Sequence, residues 1–282
     1  MGFIEFLKIV VFGIVEGITE WLPISSTGHL MLVEEFLKPD VSEHFFNVFL
    51  VVIQLGAIMA VVLLFWNNIW PFTKDPEQSY VKIPVLALWV KILAACLPAA
   101  IIGLLFDDWL DSVFYTGKRG PITVGLMLIT YGVLFIVVEN KRKDIKPTYN
   151  KLATLPLKIA FYIGLFQLLA LIPGTSRSGA TILGAILVGT NRAVAAEFTF
   201  YLAIPVMAGA SLLKVVKYLH EYGSFSGNEV VMLMTGSIVA FIVSFFVIKF
   251  FLEYIRKHDF KPFGYYRIVA GAVILSYFMF MA

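Results

Sequence analysis

Six segments of this chain run for the length of a membrane-crossing helix with almost no charge, and no other feature limits its folds so much. Residues 45–66 (FFNVFLVVIQLGAIMAVVLLFW), 121–138, 230–248 and 268–282 hold no charged residue, while 83–106 and 193–213 hold one each, Lys91 and Glu197. The last is short unless Tyr265 and Tyr266 extend it. A bilayer core takes about 20 consecutive apolar residues per helix, and chain in lipid must satisfy its own backbone hydrogen bonds. Composition agrees, at 60% hydrophobic and 15% charged residues, against about 25% charged in a soluble domain. The expected fold class is an all-α integral membrane protein.

The start does not read as a signal peptide, because it lacks a basic n-region and Glu16 and Glu20 cut its apolar run. It also fails the myristoylation pattern, with Phe6 where Ser or Thr is required. The single Cys96 lies in an apolar span, which excludes a disulfide framework or thiolate cluster and suits a small buried hydrophobe. A net charge of +3 is too small to argue for nucleic acid.

The polar stretch 140–155 (NKRKDIKPTYNKLATL) separates two similar halves, 1–139 and 156–282. "GIVEGITEWLPISSTGH" from Gly13 resembles "GLFQLLALIPGTSRSGA" from Gly164: an apolar run, a proline, a Ser/Thr/Gly cluster, then a second apolar run. The runs around each cluster, 3–22 and 29–37, then 156–172 and 179–190, are too short to cross alone. They read as re-entrant hairpins over 3–37 and 156–190, since irregular backbone at membrane depth needs protein or a wet cavity around it. A single kinked span in each place is the competing reading. With hairpins, each half keeps three spans, and an odd number inverts the second half relative to the first.

Loop charges set the orientation. Lys74, Lys82, Lys141, Arg142, Lys143, Lys146, Lys151, Arg192, Arg256, Lys257, Lys261 and Arg267 fall on one side. The other side has Lys38, Lys118, Arg119 and Lys217, diluted by Glu34, Glu35, Asp107, Asp108, Asp111 and Glu221. The positive-inside bias makes the first side cytoplasmic and puts both termini and the first hairpin's mouth outside.

Glu16 and Glu20 are spaced i, i+4 and share a helix face. Each ionised group costs about 2.5–3.5 kcal/mol at the centre of a membrane helix, so the pair should line a wet cavity or hold a hard cation such as Mg²⁺ or Ca²⁺, or serve as a base. Bonding to neighbouring backbone is the plainer alternative. After Pro23, Ser25, Ser26, Thr27 and Gly28 open a helix whose free N–H groups suit phosphate oxygens. Ser176, Ser178, Gly179 and Thr181 repeat the design after Pro173 and add Arg177, whose guanidinium can grip phosphate with two parallel bonds. A helix cap explains the serines equally well, but not the arginine. His29 lies one helical turn from Ser26, a base near a nucleophile. His44, His220 and His258 fall in loops. Gln54 and Glu197 are either supporting groups of the site or packing hydrogen bonds. Together the parts suit a phosphate-bearing ligand whose remainder lies in the membrane.

The motifs "EGITEWLPISSTGH" and "PGTSRSGAT", with "VVIQLGAI", "EFTFYLAIP" and "PFGYYRIV", resemble the undecaprenyl-diphosphate phosphatase, or bacitracin-resistance, family end to end. Trp21 is a mild departure where a smaller aromatic is commoner. The resemblance implies an inner-membrane enzyme that converts undecaprenyl diphosphate to undecaprenyl phosphate, recycling the carrier for cell-wall polymers and conferring bacitracin resistance. It also implies a divalent cation, Mg²⁺ or Ca²⁺, and a long-chain prenyl diphosphate substrate. Its essential groups fall on Glu16, Glu20, Ser26, His29 and Arg177. The expected mechanism has Arg177 and the hairpin N–H groups hold the diphosphate and a cation on Glu16 and Glu20, while Ser26 attacks with His29 as base, or His29 attacks. A secondary transporter or lipid flippase is the competing class, separated by phosphate release from protein in detergent, where no gradient exists. The sequence leaves oligomeric state, a homodimer included, open.

Overall fold

The computed structural model describes residues 2–73, 80–114, 117 and 119–280. Lys74 and Lys118, two of the loop cations, lie outside the described residues, as do the last two residues of the expected final span; for Asp107, Asp108 and Asp111 only the backbone is described. Among the described residues the chain is helical without strands beyond two isolated bridges. The first half contains α1 (Phe3–Thr19), α2 (Ser26–Leu37), α3 (Glu43–Leu64), the single turn α4 (Trp66–Ile69), α5 (Ile83–Phe114) and α6 (Arg119–Arg142). The second contains α7 (Leu157–Gln167), α8 (Arg177–Leu187), α9 (Arg192–Tyr222), α10 (Gly227–Lys257) and α11 (Lys261–Phe280). Among the described residues six helices are long and apolar enough to cross a membrane: α3, α5 up to its kink at Phe106, α6, α9, α10 and α11. This is a multi-pass, all-α membrane protein.

Packing partners recur between the halves. Helix α1 packs against α10, as α7 packs against α5; α3 lies on α10, as α9 lies on α5; and α3–α9 and α6–α11 meet across the halves. The α6–α11 contact is the closest kind a membrane helix pair makes, with small residues letting backbones touch. A Cβ added at Gly132 would stand 2.7 Å from the carbonyl oxygen of Gly264, and one added at Gly264 equally near that of Gly132. Gly125 and Gly271 repeat this two turns along. Each residue number falls in one helix as it rises in the other, so the pair is antiparallel.

The short helices α1 with α2, and α7 with α8, form the two hairpins. Pro23 and Pro173 stand between their arms, where a missing N–H keeps the chain from continuing as helix; α7 has already ended at Gln167, followed by a 3-10 turn over Leu168–Leu171. The outgoing helices start earlier than the expected 29 and 179: α2 opens at Ser26 and α8 at Arg177. The reason is the residue before each. Ser25 (φ 73°) and Ser176 (φ 72°) are the positive-φ residues other than glycine among the described residues. That backbone costs about 1–3 kcal/mol each and is held only by surrounding structure. It turns the chain within one residue, so the cluster's hydroxyls lie in the first helical turn.

Candidate active site

The two hairpin tips meet. Glu20, just past the end of α1, places one carboxylate oxygen 2.7 Å from the Ser26 hydroxyl, which donates to it. Its other oxygen accepts from Arg177 Nη2 at 3.1 Å, so one side chain holds a group from each half. Arg177 Nη1 donates to the Thr199 carbonyl at 3.0 Å, while its Nε–H is buried without a partner. A guanidinium carries five N–H donors, so three remain to grip an anion. The backbone joins the tips as well: the Ser178 hydroxyl donates to the Glu20 carbonyl at 3.1 Å and lies 3.3 Å from that of Leu22.

Glu16 sits one turn back on α1, fully buried, with neither carboxylate oxygen hydrogen-bonded. The hydroxyls of Ser25 and Thr175 are likewise buried and unpartnered. A buried unpaired polar group costs about 1–3 kcal/mol, more if charged, so four such atoms at two apposed tips mark a place built for a ligand. Ser25 precedes α2 without capping it by its side chain, which leaves first-turn N–H groups without side-chain partners, whereas Ser176 Oγ caps α8 by accepting from Gly179 N–H at 3.1 Å. Thr181 donates to the Arg177 carbonyl at 2.8 Å and receives the Thr199 hydroxyl at 2.9 Å, bracing the turn that carries the guanidinium.

Several expected site residues stand elsewhere or bond otherwise. Ser26 and His29, read from the sequence as a nucleophile near a base, do not bond to each other, because His29 turns along its own helix. Its Nδ1–H donates to the Ser25 carbonyl four residues back at 2.7 Å, and its Nε2 meets the Tyr266 hydroxyl at 2.7 Å. Thr27 is exposed and its side chain makes no hydrogen bond among the described residues. Gly28 lets α2 lie against Leu128 and Val124 of α6. Glu197 accepts from the Tyr201 hydroxyl at 2.6 Å rather than reaching the tips. Gln54 is half-buried and its side chain makes no hydrogen bond among the described residues.

Two site-building residues escaped the sequence reading. Arg267, counted there among the cytoplasmic loop charges, is instead fully buried within α11. Its guanidinium donates to the carbonyls of Pro23 (3.0 Å), Gly174 (2.9 Å) and Thr175 (2.9 Å), and so holds both tips at once. It also faces the Tyr131 ring at 5.4 Å. Tyr266, its neighbour, fixes His29. Both belong to "PFGYYRIV", and an arginine inside an apolar helix was the available signal.

A divalent ion has a fitting place. Glu16 offers two unpartnered buried oxygens one turn from Glu20. Among the described residues no cluster of three or more His, Cys, Asp or Glu could hold a metal, so protein alone does not complete a coordination shell. Mg²⁺ commonly binds through one or two carboxylates plus substrate phosphates and water, and Glu16 and Glu20 fit the carboxylate part of such a set.

The family described as "Bacitracin resistance protein BacA" matches residues 9–273. The chain is 56% identical over 276 residues to the undecaprenyl-diphosphatase of Acetivibrio thermocellus, covering 98% of each chain. It is 54% identical over 282 residues to that of Enterococcus faecalis strain V583, covering 99% of this chain and 100% of the relative. It is 52% identical over 278 residues to that of Streptococcus mutans serotype c, covering 98% and 97%.

Proposed function

This chain belongs to the bacitracin resistance protein BacA family, and from that premise we propose how its apposed tips carry out the family's reaction. The protein is an undecaprenyl-diphosphatase: it releases inorganic phosphate from undecaprenyl diphosphate and returns undecaprenyl phosphate, the lipid carrier, for reuse. The observation that carries the mechanism is the Glu20 carboxylate, shared between the Ser26 hydroxyl and Arg177.

In this mechanism the diphosphate enters between the tips with its prenyl chain in lipid. The three unused N–H donors of Arg177 and the first-turn N–H groups of α2 take its phosphate oxygens. Ser26 Oγ attacks the terminal phosphorus as its proton passes to Glu20 Oε2. The bond from that phosphorus to the bridging oxygen breaks, and undecaprenyl phosphate leaves. Water then attacks the phosphoserine, giving up its proton to the Glu16 carboxylate as Glu20 returns its proton to the departing Ser26 Oγ, and inorganic phosphate and the serine are freed. His29, held at both ring nitrogens, positions the first turn of α2 rather than taking the serine proton. Glu16 and Glu20 are the groups that would hold a Mg²⁺ or Ca²⁺ ion, which when bound supplies charge neutralisation at the phosphates. Positioning and charge stabilisation provide most of the acceleration.

We read the halves as inverted-topology repeats, supported by the recurring packing partners, the antiparallel α6–α11 pair and the matching turns at Ser25 and Ser176. Loop charge supports a cytoplasmic 140–155 segment and a site open to the outer face of the cell membrane. A homodimer is part of this proposal without bearing on the chemistry. The test is phosphate release from a long-chain prenyl diphosphate by the purified protein in detergent. Turnover there supports hydrolysis at this site, and none with cation present contradicts it.

A further inference from the structure

About 15 Å along α8 from Arg177, at 1.5 Å per residue, the chain builds a second polar cavity that the reaction does not use. It is a cleft of about 180 Å³ where the end of α6 meets the end of α8 and the start of α9, lined by Glu139, Arg142, Lys143, Thr190, Asn191 and Arg192 among others. Its one acid is already neutralised. Glu139 accepts from Arg192 Nε at 2.9 Å and from Nη2 of the same guanidinium, and it takes the Phe260 N–H at 3.1 Å. Of the nearby carboxylates, Asp259 is paired with Lys261 at 3.3 Å, and Asp144 points into solvent.

What remains is a surplus of donors. Arg142 gives one N–H to the Leu187 carbonyl at 3.1 Å, leaving four. Lys143 makes no ion pair or hydrogen bond among the described residues. Asn191 caps the 31-residue α9 by accepting from Val194 N–H at 2.8 Å, so the N–H groups of Arg192 and Ala193 lack intrahelical partners. Independently, Thr190 is 4% exposed and its hydroxyl has no partner among the described residues. Two cations, a helix N-terminus and an orphaned buried hydroxyl converge on one small cleft, and such a set matches the oxygens of a phosphate group.

We propose that this cleft is a second anion site that binds a phosphate group, separate from the hydrolytic centre and independent of the mechanism above. Its ligand is a lipid phosphate headgroup or free inorganic phosphate, which share this chemistry. The cleft lies at the ends of spanning helices, where a headgroup would stand.

The test uses the full chain purified in detergent, with phosphatidic acid as the lipid probe, phosphatidylcholine as its control, and inorganic phosphate as competitor. Native mass spectrometry reads lipid retention. Wild type should retain phosphatidic acid over phosphatidylcholine, and an R142Q/K143Q double variant should bind it about tenfold more weakly or worse, the loss expected on removing charge-assisted contacts. That variant should keep wild-type hydrolytic turnover, which shows that it is folded. Thr190→Val, which preserves shape and charge, should weaken binding severalfold and carries the test if the double variant does not fold. Displacement of the lipid by inorganic phosphate assigns the site to free phosphate, and retention under saturating phosphate assigns it to the headgroup. Binding of both probes that is unchanged by these variants, or absent from wild type, overturns the proposal.

Discussion

Glu20 and Arg177, 157 residues apart, are joined by a 3.1 Å ion pair at the meeting point of two hairpin tips. Both side chains are about nine-tenths buried. A buried pair is weak evidence for stability, because desolvation offsets much of the attraction, yet removing one partner strands the other at a cost of about 3–5 kcal/mol. Such a pair suits a site where an incoming anion takes over part of the arginine's bonding. The same glutamate holds Ser26, so the pair connects the proposed nucleophile of one half to the proposed phosphate grip of the other.

The bonding of Ser26 predicts which substitution is fatal. Ser26→Ala should lower turnover by on the order of 10⁴ or more, as loss of a nucleophile does. His29→Ala and Tyr266→Phe should each cost roughly 10–100-fold, the scale of a misplaced reacting group. Because they share one hydrogen bond, the two together should scarcely exceed the worse single change. Acid quench during turnover should trap phosphate on Ser26; acid-labile phosphate on His29 would reverse the roles.

Arg267 predicts a joint loss of stability and activity. Its guanidinium serves carbonyls on both tips, and each one left unpaired costs about 1–3 kcal/mol. Arg267→Met should lower the thermal unfolding temperature in detergent and reduce kcat. Arg267→Lys, reaching fewer carbonyls, should restore little of either. A wild-type unfolding temperature and kcat in Arg267→Met would mean the tips are held by other contacts.

Glu16 predicts the cation dependence. With both oxygens free, it should be the side chain most committed to the ion. Chelation should stop turnover and added Mg²⁺ or Ca²⁺ restore it. Glu16→Gln, which keeps volume but removes charge, should raise the half-saturating cation concentration by about tenfold or more. An unchanged cation titration would remove Glu16 from that role.

Orientation is open to direct measurement. Reporter fusions at Lys146 and after the C-terminus should report opposite compartments, with Lys146 inside. The same compartment for both would break the three-span arrangement of each half.

The spans and tips were legible because they rest on local signals: absent charge over 20 or so residues, and a proline followed by hydroxyls. The partners were not. Ser26 faces Glu20 across a turn set by positive φ at Ser25, which helical periodicity does not anticipate. Tyr266 meets His29 across 237 positions. Arg267 reads as a boundary charge because the charge-free run starts at Ile268, one residue beyond it. In the fold α11 begins at Lys261, which carries Arg267 up to the level of the tips.

The most direct test of a single site shared between the halves is a double-mutant comparison of Glu20→Ala, Arg177→Ala, their combination and the wild type. It measures phosphate release from a long-chain prenyl diphosphate at saturating cation. Loss of a group that stabilises developing charge costs about 10²–10³ in rate, roughly 2.7–4 kcal/mol, and groups acting as a unit are strongly non-additive. The double variant should therefore be scarcely slower than the worse single one, and Arg177→Lys should also fail, since it keeps the charge but loses the fork. Near-normal release by Arg177→Ala, or losses that multiply in the double variant, would contradict a site built from both tips.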